Sequence, residues 1–462
     1  MSDRRYFGTD GVRGVAGQHP MTAHFALQLG VATAELLKRT AAGRPRVVIG
    51  MDTRRSGPML AQALGAGLTS RGADVTELGV VPTPAVSYLT RKLGADAGVV
   101  VSASHNPFDD NGIKVFNANG EKLDDGLEAE LEALVARLSE GTQPELEPVM
   151  GAAVGRSKRL PRHGSDLPGS DAYTTHLLAN APYLDGMKVV VDCANGAGHL
   201  IAPRVFAKIG ARLEVMNAEP DGENINVGCG STNPRGIVDR VVSGGFDVGV
   251  TFDGDADRAV LVDRRGRIVT GDHIMAICAV ARGESEIVAT HMSNLGMERY
   301  LQTRGVTVRR VQVGDRYVYE ELKRTGLSLG GEQSGHVLFL DKAPTGDGIL
   351  TALQLLAAVR QSGRSLEEWM DEIPVFPQEL INVPVPTERK GDVAEAPAVA
   401  AAVKAAETRL GEAGRVLLRP SGTEPLVRVM VEGPDHAEVT EVANQVAEAV
   451  RSVGAATVEA GA

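Results

Sequence analysis

Short β-branched runs that end in polar loops recur along the chain. Val47-Val48-Ile49-Gly50-Met51-Asp52, Val189-Val190-Val191-Asp192 and Ile287-Val288-Ala289-Thr290 have the length and composition of buried strands, and helical spacing of apolar residues follows each. Each unit then reaches a second, glycine-bearing loop: Ser102 to Pro107, Asp253 to Arg258, and Gly330 to His336. The pattern predicts three similar α/β domains, each contributing one loop. The apolar runs Gly98-Val99-Val100-Val101 and Gly249-Val250-Thr251-Phe252 place the first two loops at the carboxyl ends of buried strands, where open α/β sheets hold ligands. Proline, glycine and charge collect from Gly141 to Pro168 and again from Pro374 to Pro386. Beyond the second collection the texture becomes Ala-rich helix around the strands Arg415-Val416-Leu417-Leu418 and Leu426-Val427-Arg428-Val429-Met430. This predicts a smaller C-terminal α+β domain with a frayed tail past Gly454. The expected domains are 1–155, 156–256, 257–372 and 373–462.

Length agrees with that division, since 462 residues exceed what one core supports. Apolar residues make up 43% of the chain and aromatics 4%, an ordinary soluble composition. A formal net charge of −11, with no basic cluster interleaved with aromatics, argues against a nucleic-acid partner. A small anionic ligand must then be met by local positive charge. Cys193, Cys229 and Cys278 are an odd, scattered set without a CxxC, so neither a disulfide framework nor a zinc site is suggested, and a reducing cytoplasm is the expected location. Met1 to Arg5 lead into a polar glycine turn without an apolar signal core. The longest apolar stretch, Ile349 to Val359, is of helix-core length, so no export and no membrane span are expected.

The loops carry specific chemistry. Asp253, Asp255 and Asp257 alternate, and on an extended segment they point the same way and converge on one hard cation. Oxygen-only ligands favour Mg²⁺. A calcium EF-hand would need glycine where Arg258 stands and glutamate where Arg264 stands. Ser104, between Ala103 and His105, is positioned to carry a phosphoryl group that completes the metal site, because serine needs such activation to be a nucleophile. Lys114, after the turn Asp109-Asp110-Asn111-Gly112, is a candidate proton donor or acceptor, with an exposed hairpin lysine as the alternative. His105 is either a proton-handling group or a structural hydrogen-bonder. Arg419-Pro420-Ser421-Gly422-Thr423-Glu424-Pro425 joins a guanidinium, two hydroxyls and a closely approachable backbone, which suits a phosphate monoester. No GxxxxGK[ST] occurs, which removes the main support for an ATP-driven kinase. Gly8-Thr9-Asp10-Gly11-Val12-Arg13-Gly14 offers Arg13 as an anion contact. Gly326-Leu327-Ser328-Leu329-Gly330 matches the GxSxG of hydrolase elbows, but helix-like residues precede it, and Ser328 is read as a strand residue.

With these loops in order, the chain resembles the α-D-phosphohexomutase family over essentially its full length. Ser102 to Pro107 is similar to that family's phosphoserine loop, Asp253 to Arg258 to its metal loop, Gly331 to His336 to its sugar loop, and Arg419 to Pro425 to its phosphate loop. Gly8 to Gly14, Val313-Gly314-Asp315-Arg316-Tyr317-Val318 and Gln333 resemble the branch that isomerises glucosamine phosphate. The connector from Arg156 to Tyr173 departs from that branch's pattern. The resemblance implies mixed sheets around a central cleft, a phosphoserine at Ser104, and Mg²⁺ held by its phosphate with Asp253, Asp255 and Asp257. It implies catalytic roles for Ser104, Lys114, His105, Arg13 and Arg258, and substrate contacts from Glu332, Ser334, His336, Arg419, Ser421, Gly422, Thr423 and Arg428. The implied reaction interconverts glucosamine 6-phosphate and glucosamine 1-phosphate through a 1,6-bisphosphate and feeds amino-sugar nucleotides to cell-wall precursors. Glucosamine or glucose 1,6-bisphosphate is the expected activator, a small sugar phosphate the partner, and a homodimer the candidate assembly. A last domain that closes and reopens near Pro374 to Pro386 would let the intermediate turn without escaping. Phosphoglucomutase or phosphomannomutase activity is the alternative, followed by a metal-dependent sugar phosphatase and a non-catalytic sugar-phosphate sensor.

Overall fold

The computed structural model describes residues 6–8, 10–140, 146–160, 171–421 and 424–456. Four sheets follow one another along the chain, and the first three share a core topology. In the first, the strand Arg46–Met51 pairs in parallel with Asp74–Val80 on one side and with Ala97–Val101 on the other, and Asp110–Asn117 then adds antiparallel. In the second, Lys188–Asp192 takes Arg212–Met216 and Val248–Phe252 in parallel, and Ala259–Asp263 returns antiparallel. In the third, Glu286–Thr290 pairs in parallel with Leu329–Gly331, which turns back antiparallel into Val337–Phe339. The strand alternation seen along the sequence is therefore a repeated unit. Its chemical loop always lies where a central parallel strand reverses into its antiparallel neighbour.

The central strands Ala97–Val101 and Val248–Phe252 are buried at every position because helices cover both faces, which is why they read as continuous apolar runs. In the first domain the helices Ala23–Leu37 and Gly57–Ser70 cross at glycines. A Cβ on Gly30 would lie 2.2 Å from the Leu64 carbonyl oxygen, and one on Gly67 would lie 2.1 Å from that of Leu27. Backbone meets backbone there.

By internal contacts the chain divides into two compact units, residues 1–290 with 309–370, and residues 291–308 with 371–462. The second unit holds the antiparallel sheet ordered Gln378–Pro384, Leu426–Glu432, Arg415–Pro420, with the helices Pro397–Leu410 and His436–Ala456 packed over its valines. Inside this unit Glu432, fully buried, accepts from the Leu295 N–H at 2.8 Å and from Arg415 Nε at 2.7 Å, so one carboxylate ties the start of the helix Leu295–Thr303 to the sheet.

Several local expectations are revised. The hairpin after Phe252 carries Ala259–Asp263 and Ile268–Val269 onto the second sheet, so that sheet extends past residue 256. Ser157–Arg159, inside the expected connector, pairs in parallel with the first sheet. The run Pro374 to Pro386 is mostly the strand Gln378–Pro384, with Pro384 at its end, where no further N–H is required. Helix persists through Gly454 to Ala456. Ser328 immediately precedes the strand Leu329–Gly331 and follows the helix Asp315–Thr325, and it donates to Glu284. All three cysteines are free and buried. No helix among the described residues is long and apolar enough to cross a membrane.

Candidate active site

The first and second chemical loops meet. Ser104 Oγ lies 2.5 Å from Asp253 Oδ2 and donates to it, and both residues are buried. Ligand atoms of Asp253, Asp255 and Asp257 all lie within 4.8 Å of one another. The three carboxylates do not alternate along an extended segment. The strand ends at Phe252, and Asp253 to Asp257 form a turn in which Ala256 takes a left-handed φ of 56°. The turn achieves the convergence that a straight strand would leave spread over about 7 Å between next-nearest residues. Two small residues permit this. A Cβ on Gly254 would sit 2.6 Å from the Ser104 carbonyl oxygen, and one on Gly196 would sit 2.3 Å from the Gly254 carbonyl oxygen.

Charge around the triad is arranged unevenly. Burial, then Asp257 and Asp255, push the Asp253 carboxyl well above its ordinary range. Burial also works against ionisation of Asp257, yet Lys114, His336 and Arg258 together hold it well below the ordinary range. Asp255 Oδ2 accepts from Thr83 Oγ at 2.7 Å and from Lys114 Nζ at 3.1 Å, while Asp255 Oδ1 and Asp257 Oδ1 are buried without a hydrogen-bond partner. Three buried carboxylates, two of them with an orphaned oxygen, and an oxygen-only donor set fit a hard divalent cation. Asp253, Asp255, Asp257 and an oxygen on Ser104 are the residues that would hold it.

Lys114 is buried on the strand Asp110–Asn117, not exposed on a hairpin tip. The predicted turn stops at Asp109, because residues 110–113 pair with Gly11–Val15. Burial opposes charge on Lys114, but Asp10, Asp255 and Asp257 outweigh it and raise its pKa. The group is a fixed ammonium, 3.0 Å from Asp10 Oδ2. Arg13, opposite Gly112 in the sheet, pairs with Asp10 and reaches Asn106 Oδ1 at 3.3 Å. His105 Nδ1 lies 3.3 Å from Ser104 Oγ, and burial, followed by Arg258 and Arg13, lowers the imidazole pKa to about 4.

The third loop joins the same group. His336 Nδ1 is 3.6 Å from Asp257 Oδ2, and Nε2 is 3.5 Å from Asp315. Gly346 makes room for the imidazole, since a Cβ there would fall 2.3 Å from Nε2. Glu332 accepts from the Gly314 N–H at 3.1 Å, and burial raises its pKa. Ser334 is exposed at the turn. Lys122 bridges Asp10 and Asp315 at 2.5 Å each, tying the first domain to the third.

In the second unit, Arg419 and Arg428 are direct cross-strand partners, a like-charge pair that disfavours the sheet unless an anion is near. Burial, then Arg428, lowers the pKa of Arg419. Arg428 pairs with Glu424 and keeps a buried Nε without a partner. Beneath the turn, the Lys390 ammonium donates to the carbonyls of Ser421 at 2.5 Å and Glu424 at 3.1 Å. Gly422 and Thr423 lie outside the described residues.

Domain models for phosphoglucomutase/phosphomannomutase domains I, II, III and the C-terminal domain match residues 4–142, 171–266, 270–376 and 380–449 in order. The chain belongs to the phosphoglucomutase/phosphomannomutase family. Among curated members, "Phosphoglucosamine mutase" of Deinococcus radiodurans is 51% identical over 99% of this chain and 100% of its own. "Phosphoglucosamine mutase" of Thermus thermophilus is 49% identical over 97% and 98%. In fold the chain is similar to a phosphoglucomutase/phosphomannomutase family protein of Burkholderia thailandensis, with a TM-score of 0.78, 23% identity and coverage of 96% and 97%. It is also similar to Aspergillus fumigatus N-acetylphosphoglucosamine mutase, solved with GlcNAc-6P and magnesium, with a TM-score of 0.65, 19% identity and coverage of 97% and 96%.

Four residues that sequence reading did not name contact this site, Thr83, Arg54, Asn226 and Lys122, and a fifth, Asp315, stood there only within the run Val313 to Val318. Thr83 opens the helix Thr83–Lys92 and contacts Asp255 through both its hydroxyl and its N–H, the latter at 3.0 Å. Only Arg54 carried a signal, standing three residues beyond the carboxyl end of a buried strand.

Proposed function

We propose that the protein interconverts glucosamine 6-phosphate and glucosamine 1-phosphate, passing a phosphoryl group between Ser104 and the sugar through a 1,6-bisphosphate. The observation that carries this reading is the 2.5 Å approach of Ser104 Oγ to a buried triad of aspartates. A hydroxyl alone does not call for three convergent carboxylates, whereas a phosphorylated serine sharing Mg²⁺ with them does. Full-length relatives at 51% and 49% identity favour glucosamine over glucose or mannose as the sugar.

Phosphoryl transfer depends mainly on positioning and charge neutralisation. Bound Mg²⁺ supplies neutralisation of the charge on the transferring phosphoryl group. Lys114, held as an ammonium, and Arg258, held charged by Asp257 and Asp253 against burial, add fixed positive charge beside Ser104. His105 Nδ1, neutral at physiological pH, accepts the hydroxyl proton released as a P–O bond forms. The proton passes through His105 to the oxygen that leaves, and Lys114 Nζ, which stays charged, donates a hydrogen bond to that oxygen. Glu332, Ser334 and His336 bind sugar hydroxyls. Arg419, Ser421, Thr423 and Arg428, with the Gly422 backbone, hold the phosphate that is not reacting, and an activating bisphosphate maintains the phosphoserine.

Intact-mass and phosphopeptide analysis tests the reading. One phosphate is expected on Ser104, exchanged by glucosamine 1,6-bisphosphate, with turnover of glucosamine phosphates exceeding that of glucose and mannose phosphates. Release of inorganic phosphate in stoichiometric excess over isomerised sugar would replace the mutase with a phosphatase.

A further inference from the structure

Ser104 takes a left-handed backbone conformation, with φ of 53°, which a side-chain-bearing residue adopts only when its surroundings enforce it. Two groups meet its carbonyl. Arg54 Nη2 donates to the Ser104 carbonyl oxygen at 2.9 Å, and Asn226 Nδ2, from the second domain, donates to the same oxygen at 3.0 Å. The same pair also shares the Asn106 carbonyl, at 2.8 Å from Arg54 and 3.3 Å from Asn226.

Arg54 has no exposed side-chain surface and spends all five N–H donors on this loop and its support. Nη1 donates to the carbonyls of Pro107 and, at 3.0 Å, Asp110. Nε donates to Asp52 Oδ2 at 2.9 Å, and that oxygen also accepts from Ser102 Oγ at 2.6 Å. Ser102 Oγ in turn accepts the Ser104 N–H at 3.0 Å. One guanidinium therefore fixes the loop's carbonyls directly and the Ser104 amide through Asp52 and Ser102. A point-like ammonium could not reproduce that fork.

We propose that Arg54 and Asn226 form a two-sided carbonyl clamp that holds Ser104 in its left-handed conformation and thereby aims the seryl oxygen at the aspartate triad. Both are positioning residues. The role rests on the mutase reading for its kinetic consequence but not for its geometric one.

The test compares wild type with Arg54→Met, Arg54→Ala, Arg54→Lys and Asn226→Ala. For Arg54→Met, kcat is expected to fall about a hundredfold with sugar-phosphate KM within about twofold of wild type, as for a misplaced reacting atom. Arg54→Lys should not restore it, whereas guanidinium ion, well below unfolding concentrations, should restore part of the kcat of Arg54→Ala. Asn226→Ala should lose about tenfold in kcat by the same criterion, and it decides the matter if the Arg54 variants do not fold. Crystal structures give a readout independent of turnover: Ser104 φ should be positive in wild type and should leave the left-handed region in the variants. Retention of positive φ, or wild-type kcat in Asn226→Ala together with any folded Arg54 variant, overturns the clamp. A wild type with positive φ but no phosphate on Ser104 overturns the mutase reading and leaves the clamp to the structures.

Discussion

Replacing Thr83 by valine removes a hydroxyl and preserves shape, so it isolates one contact behind the aspartate triad. Thr83 Oγ donates to Asp255 Oδ2 at 2.7 Å with both groups buried, and Lys114 Nζ donates to the same oxygen at 3.1 Å. A buried hydrogen bond to a charged acceptor contributes about 1.5–3 kcal/mol. Groups that orient a metal ligand typically change metal affinity by about 10–100-fold, or about 1.4–2.8 kcal/mol, so the two scales agree. Thr83→Val should therefore bind Mg²⁺ or Mn²⁺ at least about tenfold more weakly by titration calorimetry. Thr83→Ser, which keeps the hydroxyl, should bind nearly as well as wild type. If Thr83→Val bound metal within twofold of wild type while remaining folded, orientation of Asp255 by this hydroxyl would be refuted.

Two further expectations concern stability. His273 is buried at the start of the helix Gly271–Arg282, and its Nδ1 accepts the Thr270 N–H at 3.2 Å; burial, then Arg267, lowers its pKa to about 4 against 6.5 unfolded, with Asp263 opposing. The folded chain then binds fewer protons than the unfolded chain between pH 6.5 and about 4, so stability is complete above that window and falls within it, by about 2 kcal/mol near pH 5. Urea midpoints of wild type and His273→Gln should diverge in pH slope there, and parallel slopes would show that His273 is not responsible. Gly30→Ala forces a methyl against the Leu64 carbonyl oxygen, 2.2 Å from the ideal Cβ, and should cost about 1–3 kcal/mol or more. Gly65→Ala, whose nearest neighbour is 3.8 Å away at Ile49 Cδ1, should be neutral or stabilising, and equal melting temperatures for the two variants would contradict the close crossing.

What the chain disclosed about itself followed from periodicity. The central strands of the first two sheets are short and buried on both faces, so Val99 to Val101 and Val248 to Phe252 stand out as apolar runs. The loops after them were legible because Ser104, Asp253, Asp255 and Asp257 sit at the ends of those runs. The turn geometry of the triad was not legible, because the left-handed Ala256 and the close backbone approach at Gly254 depend on chain from another domain. The burial of Lys114 was hidden for a related reason: Gly11–Val15 arrives from about a hundred residues away to cover that strand. Thr83, Asn226, Lys122 and Asp315 act through partners in other domains, and single-sequence spacing carries no trace of such pairings.

The seam at Gly254 limits where movement can occur during turnover. With main chain against main chain, one methyl group of added thickness would already separate Ser104 from its acidic counterpart. The donor end is thus a fixed post. A sugar that must present first one end and then the other has to do the turning itself, and any give in the protein must come from parts of the chain remote from this contact.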